Sequence, residues 1–425
     1  MSQRFISSPM LKFSHKKTLL LVLIAGLLLR VFLIPVARHG DLNNNISWGQ
    51  ELLTRGPANF YEHEEWPFSA PNQPPLYIWV FGATSVIQNT AYSVIHSLNQ
   101  ALPVFPSPIV WWFEQWGELY IAKIPGIIAD LGIAYVVYRF VGGKKGLLLS
   151  AVWMFNPMTW YNSAIWGGTD GIVNMLGLFA LVSLANRRLL SFSFFITLSI
   201  LFKGSLLIFL PFLTVYIYVQ KYPLKQWMHA AGVGLLTFLF VTILFHPQGD
   251  VLVWFFNLYT ERFLPGEIGS LTANAFNVWW LVDPGKTLDS HVFIGLPARV
   301  WGILWTLLIY LLILIKTFYR QKSPRLFLPL AIIALTSFML MTRIHERYLY
   351  PFFPLATIAL SKFKWLWIPY LVLSIAHLMN LYHLFWAPGN ALLENAFLNP
   401  SLMIWLSILN VGIFVYILKK YVNSV

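Results

Sequence analysis

Twelve apolar runs, divided by short polar connections, set the pattern of this chain: Thr18–Ala37, Leu119–Val141, Gly146–Tyr161, Gly171–Ala185, Leu189–Phe202, Ser205–Val219, Trp227–Phe245, Pro297–Thr317, Leu326–Met341, Tyr348–Leu360, Trp365–Phe385 and Leu402–Leu418. Several approach the roughly 20 residues that a helix needs to cross hydrocarbon. The pattern predicts an all-α integral membrane protein, with no internal repeat and no separate soluble domain. Between the first run and Leu119 the chain must cross an even number of times to stay in phase. Leu76–Ile87 is apolar but short, and Val104–Trp116 is aromatic and Pro-rich. Either both cross or both lie at the surface as interfacial helices, so about 12–14 spans are expected over a single polytopic domain, 1–425.

Composition sharpens this picture. Of 425 residues, 58% are hydrophobic and 11% charged, against about 25% charged in ordinary soluble domains. The mean hydropathy is +0.65, and 19 Trp supply rings suited to the membrane interface. The net charge of +13 does not point to nucleic acid, because most Lys and Arg sit in connections between apolar runs. With the N-terminus in the cytoplasm, Arg139, Lys144, Lys145, Arg187, Arg188, Lys221, Lys225, Lys316 to Arg325, Lys362, Lys364, Lys419 and Lys420 all fall inside, as the positive-inside rule requires. The C-terminus is then also cytoplasmic, in an inner or plasma membrane. Lys12, His15, Lys16 and Lys17 precede the first run, which is longer than a signal-peptide core and reads as a retained span. With no Cys, disulfides and thiolate chemistry are excluded, and the redox compartment stays open.

The same topology puts three polar clusters at the outer ends of apolar runs. Met341–Pro351 (MTRIHERYLYP) carries Arg343, His345, Glu346 and Arg347. Ions so close to hydrocarbon forfeit hydration, which marks them as functional candidates. Two guanidiniums suit phosphate, an imidazole can titrate near neutrality, and outer positive charge opposes the rule the other connections obey. The first outer loop, 38–75, brings Asp41 just after the membrane exit. A partly dehydrated carboxylate there gains basicity and suits general-base catalysis. It can equally be the N-cap of a short helix over Asn43–Leu53. Asp170, after Trp166, Gly167 and Gly168, is open to the same two readings. Lys203 interrupts two apolar runs and can snorkel or hold a phosphate. A second large outer loop spans 246–296. Glu62, His63, Glu64 and Glu65 read as a solvated face or a cation-binding surface. Lys123 and Asp130 share a helix face but lie about 10 Å apart along it, so each needs another partner, as polar glue within the bundle. The prolines of Asn72–Leu76 fix the loop's return to the membrane. No P-loop, zinc-protease or serine-hydrolase motif is present.

Taken in order, Asp41, Pro74–Leu76, the NP…WGxxD hairpin Asn156–Asp170, Lys203 and HERYLYP (His345–Pro351) resemble the GT-C superfamily of polytopic glycosyltransferases. The bacterial group similar to the second-mannose transferase of GPI-anchor assembly is the nearest pattern. The resemblance covers about Gly40 to Pro354. It implies a GT-C-type arrangement with a large catalytic first outer loop. It also implies a polyprenyl-phosphate sugar donor, and inverting transfer of one hexose, mannose by resemblance, to a lipid, glycan or protein acceptor on the extracytoplasmic side. Asp41 matches the general base. Trp166, Asp170, His345, Glu346 and Arg347 match positions lining the substrate cavity, and Lys203 and Arg343 are further candidates for the phosphate. Gly168 stands where the pattern usually has Gln, which puts a donor contact there in doubt. No cofactor is expected, no metal-ligating residue is assigned and metal dependence stays open; the implied partners are the donor, the acceptor and membrane lipids. A transporter or lipid-linked-sugar flippase would share the spans and buried ions, and a lipid-dependent glycan ligase would differ mainly in the size of the group moved. Against a transporter, no pair of broken helices recurs in the two halves.

Overall fold

The computed structural model describes residues 13–263, 269–284, 287–319 and 326–423. Lys12, residues 264–268 and 285–286 of the second long loop, and the basic stretch 320–325 lie outside them. The architecture is all-α. The helices are α1 Phe13–Leu33, α2 Gly40–Arg55, α3 Pro75–Ala101, α4 Ser107–Val141, α5 Gly143–Phe155, α6 Pro157–Trp160, α7 Asp170–Ala185, α8 Leu189–Phe202, α9 Leu210–Val219, α10 Leu224–Thr242, α11 Val251–Leu258, α12 Ala298–Tyr319, α13 Phe327–Leu340, α14 Phe352–Ala359, α15 Trp367–Phe385, α16 Ala391–Phe397 and α17 Pro400–Asn423. Short 3-10 and π-helical turns and four two-residue strands, β1 Thr272–Ala273, β2 Val292–Phe293, β3 Leu296–Pro297 and β4 Ile344–His345, complete the regular structure among the described residues.

Every expected apolar run is helical. Among the described residues, six helices are long and apolar enough to cross a membrane: His15–Val36, Ser107–Val141, Leu224–Thr242, Ala298–Tyr319, Lys364–Phe385 and Pro400–Asn423. Four shorter apolar helices, Asp170–Ala185, Leu189–Phe202, Gly204–Val219 and Phe327–Leu340, accompany them. These are cut short by polar breaks such as Lys203, so six helices rather than 12–14 meet the full length criterion.

Residues 76–117 depart from expectation in form. Val104–Trp116 is not a separate element but leads into α4, whose 35 residues extend about 52 Å at 1.5 Å per residue. That exceeds a hydrocarbon core of about 30 Å. The first half of α4 pairs with α3 as an antiparallel hairpin, joined by Tyr92 Oη to Glu114 (3.0 Å) and Asn99 Nδ2 to Ser107 Oγ (3.1 Å). Glu118 then meets Arg38 at 2.8 Å, which sets the hairpin at the end of the bundle where the first loop emerges. α2 crosses α3 at Gly49, where a Cβ would collide with the Phe81 carbonyl.

Inside the bundle, polar side chains take the place of the hydrophobic effect as the element-to-element glue. Arg30, fully buried, donates from Nε to Asp130 Oδ2 (2.8 Å), from Nη1 to the carbonyls of Gly26 (3.1 Å) and Met154 (2.9 Å), and from Nη2 to Thr159 Oγ1 (3.0 Å). Tyr350 Oη donates to the other Asp130 oxygen at 3.1 Å. One ion pair thus ties α1, α4, the α5–α6 corner and the approach to α14. Lys123 Nζ lies 2.7–2.9 Å from four carbonyls, those of Ile34, Ala37, Ala164 and Ile165. It clamps the end of α1 to the π-helical turn Tyr161–Trp166. Both residues therefore have the separate partners that their spacing demanded.

The Arg30–Asp130 pair generates a stability prediction. Asp130→Leu leaves Arg30 buried and unpaired, and should cost about 3–5 kcal/mol. Arg30→Met combined with Asp130→Leu should recover most of that loss. Thermal unfolding in detergent checks this; equal melting temperatures for Asp130→Leu and wild type would contradict it.

Candidate active site

The site is built on the N-terminus of α2. The chain leaves α1 through the 3-10 turn Ile34–Val36 and re-enters a helix at Gly40. His39, not Asp41, is the N-cap: its Nδ1 accepts the Asp41 backbone N–H at 3.0 Å. Asp41 therefore sits in the first helical turn, where the helix dipole favours a carboxylate, and its side chain is free for other partners. The same correction applies to Asp170. It is the first residue of α7, after Thr169 at the cap position, and its side chain is spent elsewhere.

Asp41 faces Arg347, 306 residues away in sequence, with Nη1 2.6 Å from Oδ2. Arg347 comes from the 3-10 turn Glu346–Leu349 between α13 and α14. Trp166 Nε1 reaches the same Asp41 oxygen at 3.5 Å. The Trp166 ring stacks on His39, centroids 4.1 Å apart. Alongside, Lys203 Nζ lies 2.7 Å from Asp170 Oδ1, with both side chains largely buried, and 5.8 Å from the Tyr348 ring centroid. These groups line a solvent-open cleft together with Asn44, Asn45, Trp48, Asn72, Gln73, Tyr77 and Gly167–Thr169.

Of the residues singled out from the sequence, Asp41, Trp166, Asp170, Lys203 and Arg347 meet at this cleft. Glu346 is buried behind it, its carboxylate 3.7 Å from Arg347 Nη1 and 3.8 Å from His345 Nδ1, with neither oxygen accepting a hydrogen bond among the described residues. His345 is held in β4, parallel to β1, and packs against the Tyr348 ring at 5.1 Å rather than lining the cleft. Arg343 forks onto Asp289 of the second loop, Nε–Oδ2 2.6 Å and Nη2–Oδ1 3.0 Å. It joins that loop to the HERY segment and is not among the cleft residues. Asp289 was missed because 54 residues separate the pair. Asn44, Asn45, Asn72, Gln73 and Tyr77 were also missed. Their signal was present: Asp41, Asn44, Asn45 and Trp48 fall on one face of a helix that the sequence already suggests.

Electrostatics follow from this packing. Burial pushes the Asp41 carboxyl up, but Arg347, then His39 and the Trp166 N–H, outweigh it and hold the pKa below its ordinary value. Burial likewise works against the Arg347 guanidinium, and Asp41 and Glu346 more than offset it, raising its pKa. Glu346 is lowered because His345 and Arg347 overcome burial. His39 is lowered by burial, against the pull of Asp41, which matches a neutral ring accepting at Nδ1. The cleft thus carries two matched ion pairs, with a third carboxylate beneath.

Gly168 explains its own departure from the resembling pattern. Its N–H donates to the Asn162 carbonyl at 2.8 Å, and a Cβ would collide with the Asn162 side-chain oxygen. The WGGTD turn is closed by backbone contacts where a longer side chain is expected.

Because Arg347 is the main force depressing Asp41, Arg347→Gln should raise the titration midpoint of Asp41, leaving burial unopposed by that charge. Carboxylate difference infrared titration, with Asp41→Asn as the blank, reads this directly. An unchanged midpoint would show that the pair contributes nothing to the ionisation. In linkage terms the depressed pKa contributes stability above the usual carboxyl range, and that stability is lost as pH falls through the depressed value.

No family model matches the chain. It is 23% identical over 148 residues to a protein named GPI mannosyltransferase 1 from Debaryomyces hansenii, a match that takes in 31% of this chain and 35% of the relative's own length. With its long apolar helices, the chain is a membrane protein distantly similar to a glycosyltransferase.

Proposed function

We propose that this chain is an inverting membrane glycosyltransferase of GT-C type that moves one hexose, mannose by similarity, from a polyprenyl-phosphate donor to an acceptor hydroxyl on the extracytoplasmic side. The observation that carries the reading is the Asp41–Arg347 contact at 2.6 Å inside a cleft that also holds Lys203 and Asp170. It joins a candidate base and a candidate phosphate ligand from opposite ends of the sequence. The distant similarity to a GPI mannosyltransferase supports sugar transfer, and kinship with the second-mannose transferases is part of the same proposal.

Sidedness is argued from the helix ends. α7 starts at the cleft with Asp170 and ends beside Arg187 and Arg188, and α8 returns from there to Lys203. α4 runs from the clamp at Lys123 to Val141, and the next connection carries Lys144 and Lys145. The basic connections therefore lie at helix ends away from the cleft, and the positive-inside rule supports an outward-facing cleft.

Mechanistically, a donor phosphate entering the cleft competes with Asp41 for Arg347. Once the guanidinium swings to the phosphate, the carboxylate loses the charge that depresses it and becomes a stronger base. Asp41 takes the acceptor proton while the hydroxyl oxygen attacks the anomeric carbon from the face opposite the phosphate. The bond between that carbon and the phosphate oxygen breaks, and its electrons leave on polyprenyl phosphate. Arg347 and Lys203 stabilise the departing anion, an interaction that strengthens as charge develops. Asp41 then returns its proton to water. Glu346, behind Arg347, keeps the guanidinium from leaving the cleft entirely.

Membranes containing the wild-type chain should release polyprenyl phosphate from polyprenyl-phosphate mannose and produce a mannosylated product. Asp41→Asn should lower turnover at least about 100-fold, the lower end of what general-base catalysis contributes, with expression and detergent melting retained. Sugar crossing the membrane without cleavage of the donor would replace this reading with a transporter, and undiminished turnover in Asp41→Asn would remove the carboxylate from the mechanism.

A further inference from the structure

The wall of the cleft has two chemically different parts. One is ionic: Arg347, Lys203, Asp41 and Asp170. The other carries carboxamides, with Asn44 and Asn45 on α2 and Asn72 on the loop that returns to α3. Each of these amides is already oriented by its oxygen. Asn44 Oδ1 accepts the Ser69 backbone N–H at 3.2 Å. Asn45 Oδ1 accepts from Tyr77 Oη at 2.7 Å. Asn72 Oδ1 accepts from Gln73 Nε2 at 3.1 Å. A carboxamide has two N–H donors besides its oxygen. With the oxygens occupied, three NH2 groups have no hydrogen-bond partner among the described residues.

The carboxamide part therefore displays neutral donors, held in place by the scaffold and paid for before any ligand arrives. Neutral donors suit the oxygens of a polyhydroxylated, uncharged ligand; a phosphate gains more at the guanidinium and ammonium of the ionic part. Asn44 and Asn45 stand three and four residues after Asp41, so they share its helix face. Neighbours on such a face are about 5–6 Å apart, a span that one pyranose ring covers. A hydroxyl placed at Asp41 for deprotonation would bring its own ring against this wall.

Resting on the transferase reading above, we propose that Asn44, Asn45 and Asn72 form the subsite that reads the hydroxyls of the acceptor's sugar ring. The donor's phosphate takes the ionic part. Acceptor specificity is then set by α2 and the 72–73 loop, and the acceptor is a glycan or glycolipid rather than a protein hydroxyl.

The test is binding of a simple probe to the full chain in detergent, read by saturation-transfer NMR with methyl α-D-mannopyranoside and methyl α-D-glucopyranoside. Asn44→Asp and Asn45→Asp keep the accepting oxygen and remove the donors. Asn72→Ala removes a donor without adding charge. Gln50→Ala, on the opposite face of α2 and bonded to Glu118, is the control. Each cleft variant should weaken glycoside binding about three- to tenfold, the worth of one or two neutral hydrogen bonds, and Gln50→Ala should not. Melting temperatures within a few degrees of wild type identify the folded variants. Glycoside binding that is absent in wild type, or unchanged in Asn72→Ala and both Asp variants, overturns the subsite. Release of polyprenyl phosphate from the donor is followed separately, so loss of the transferase reading shows as wild-type inactivity, and loss of the subsite alone leaves that activity standing.

Discussion

A guanidinium held 2.6 Å from a carboxylate across 306 residues of sequence is the contact on which this structure's account rests. It requires the start of the first long loop and the turn after α13 to arrive at one place. Two buried cation networks make that possible. Lys123 fixes the end of α1 against the turn Tyr161–Trp166, which places Asp41 beside Trp166. The Arg30–Asp130–Tyr350 cluster fixes α1 and α4 against Tyr350, which lies three residues beyond Arg347 and just before α14. The site's geometry is thus set by polar contacts within the apolar bundle, where packing alone specifies little.

Those contacts also divide labour among the charged groups. Arg343 and Arg347 are four residues apart and chemically alike. Arg343 is committed to Asp289 and joins the second loop to the HERY segment, and Arg347 is the one presented to the cleft. Likewise Lys123 is saturated by carbonyls, and Lys203 stays at the cleft paired with Asp170. Two matched ion pairs, Asp41–Arg347 and Asp170–Lys203, keep the cleft close to neutral.

Much of the fold was legible because membrane-length apolar runs leave the chain little choice but helix. The polar clusters were legible as candidates for the same reason: an ion near hydrocarbon is expensive. What the sequence could not reveal is pairing. Nothing in the spacing of Asp170 and Lys203, or of Asp289 and Arg343, announces that each pair meets. Arg30 lay unremarked in the first apolar run, although a lone arginine there demands a partner and Asp130 supplied one. Asp41 and Asp170 were open to a capping role, and the backbone decides against it by giving the caps to His39 and Thr169. The stretch 76–117 was ambiguous because its apolar residues are too scattered for a span; in the structure they form one arm of a hairpin and the extended start of α4.

Because the chain contains no Cys, single introduced cysteines give a clean reading of the central claim that the α2 start and the HERY turn share one water-accessible face. Asn43→Cys and His345→Cys would be labelled separately with a membrane-impermeant maleimide in sealed vesicles, with Lys144→Cys for reference. Positions 43 and 345 should react from the same side and position 144 from the other. Labelling of 43 and 345 from opposite sides would contradict it.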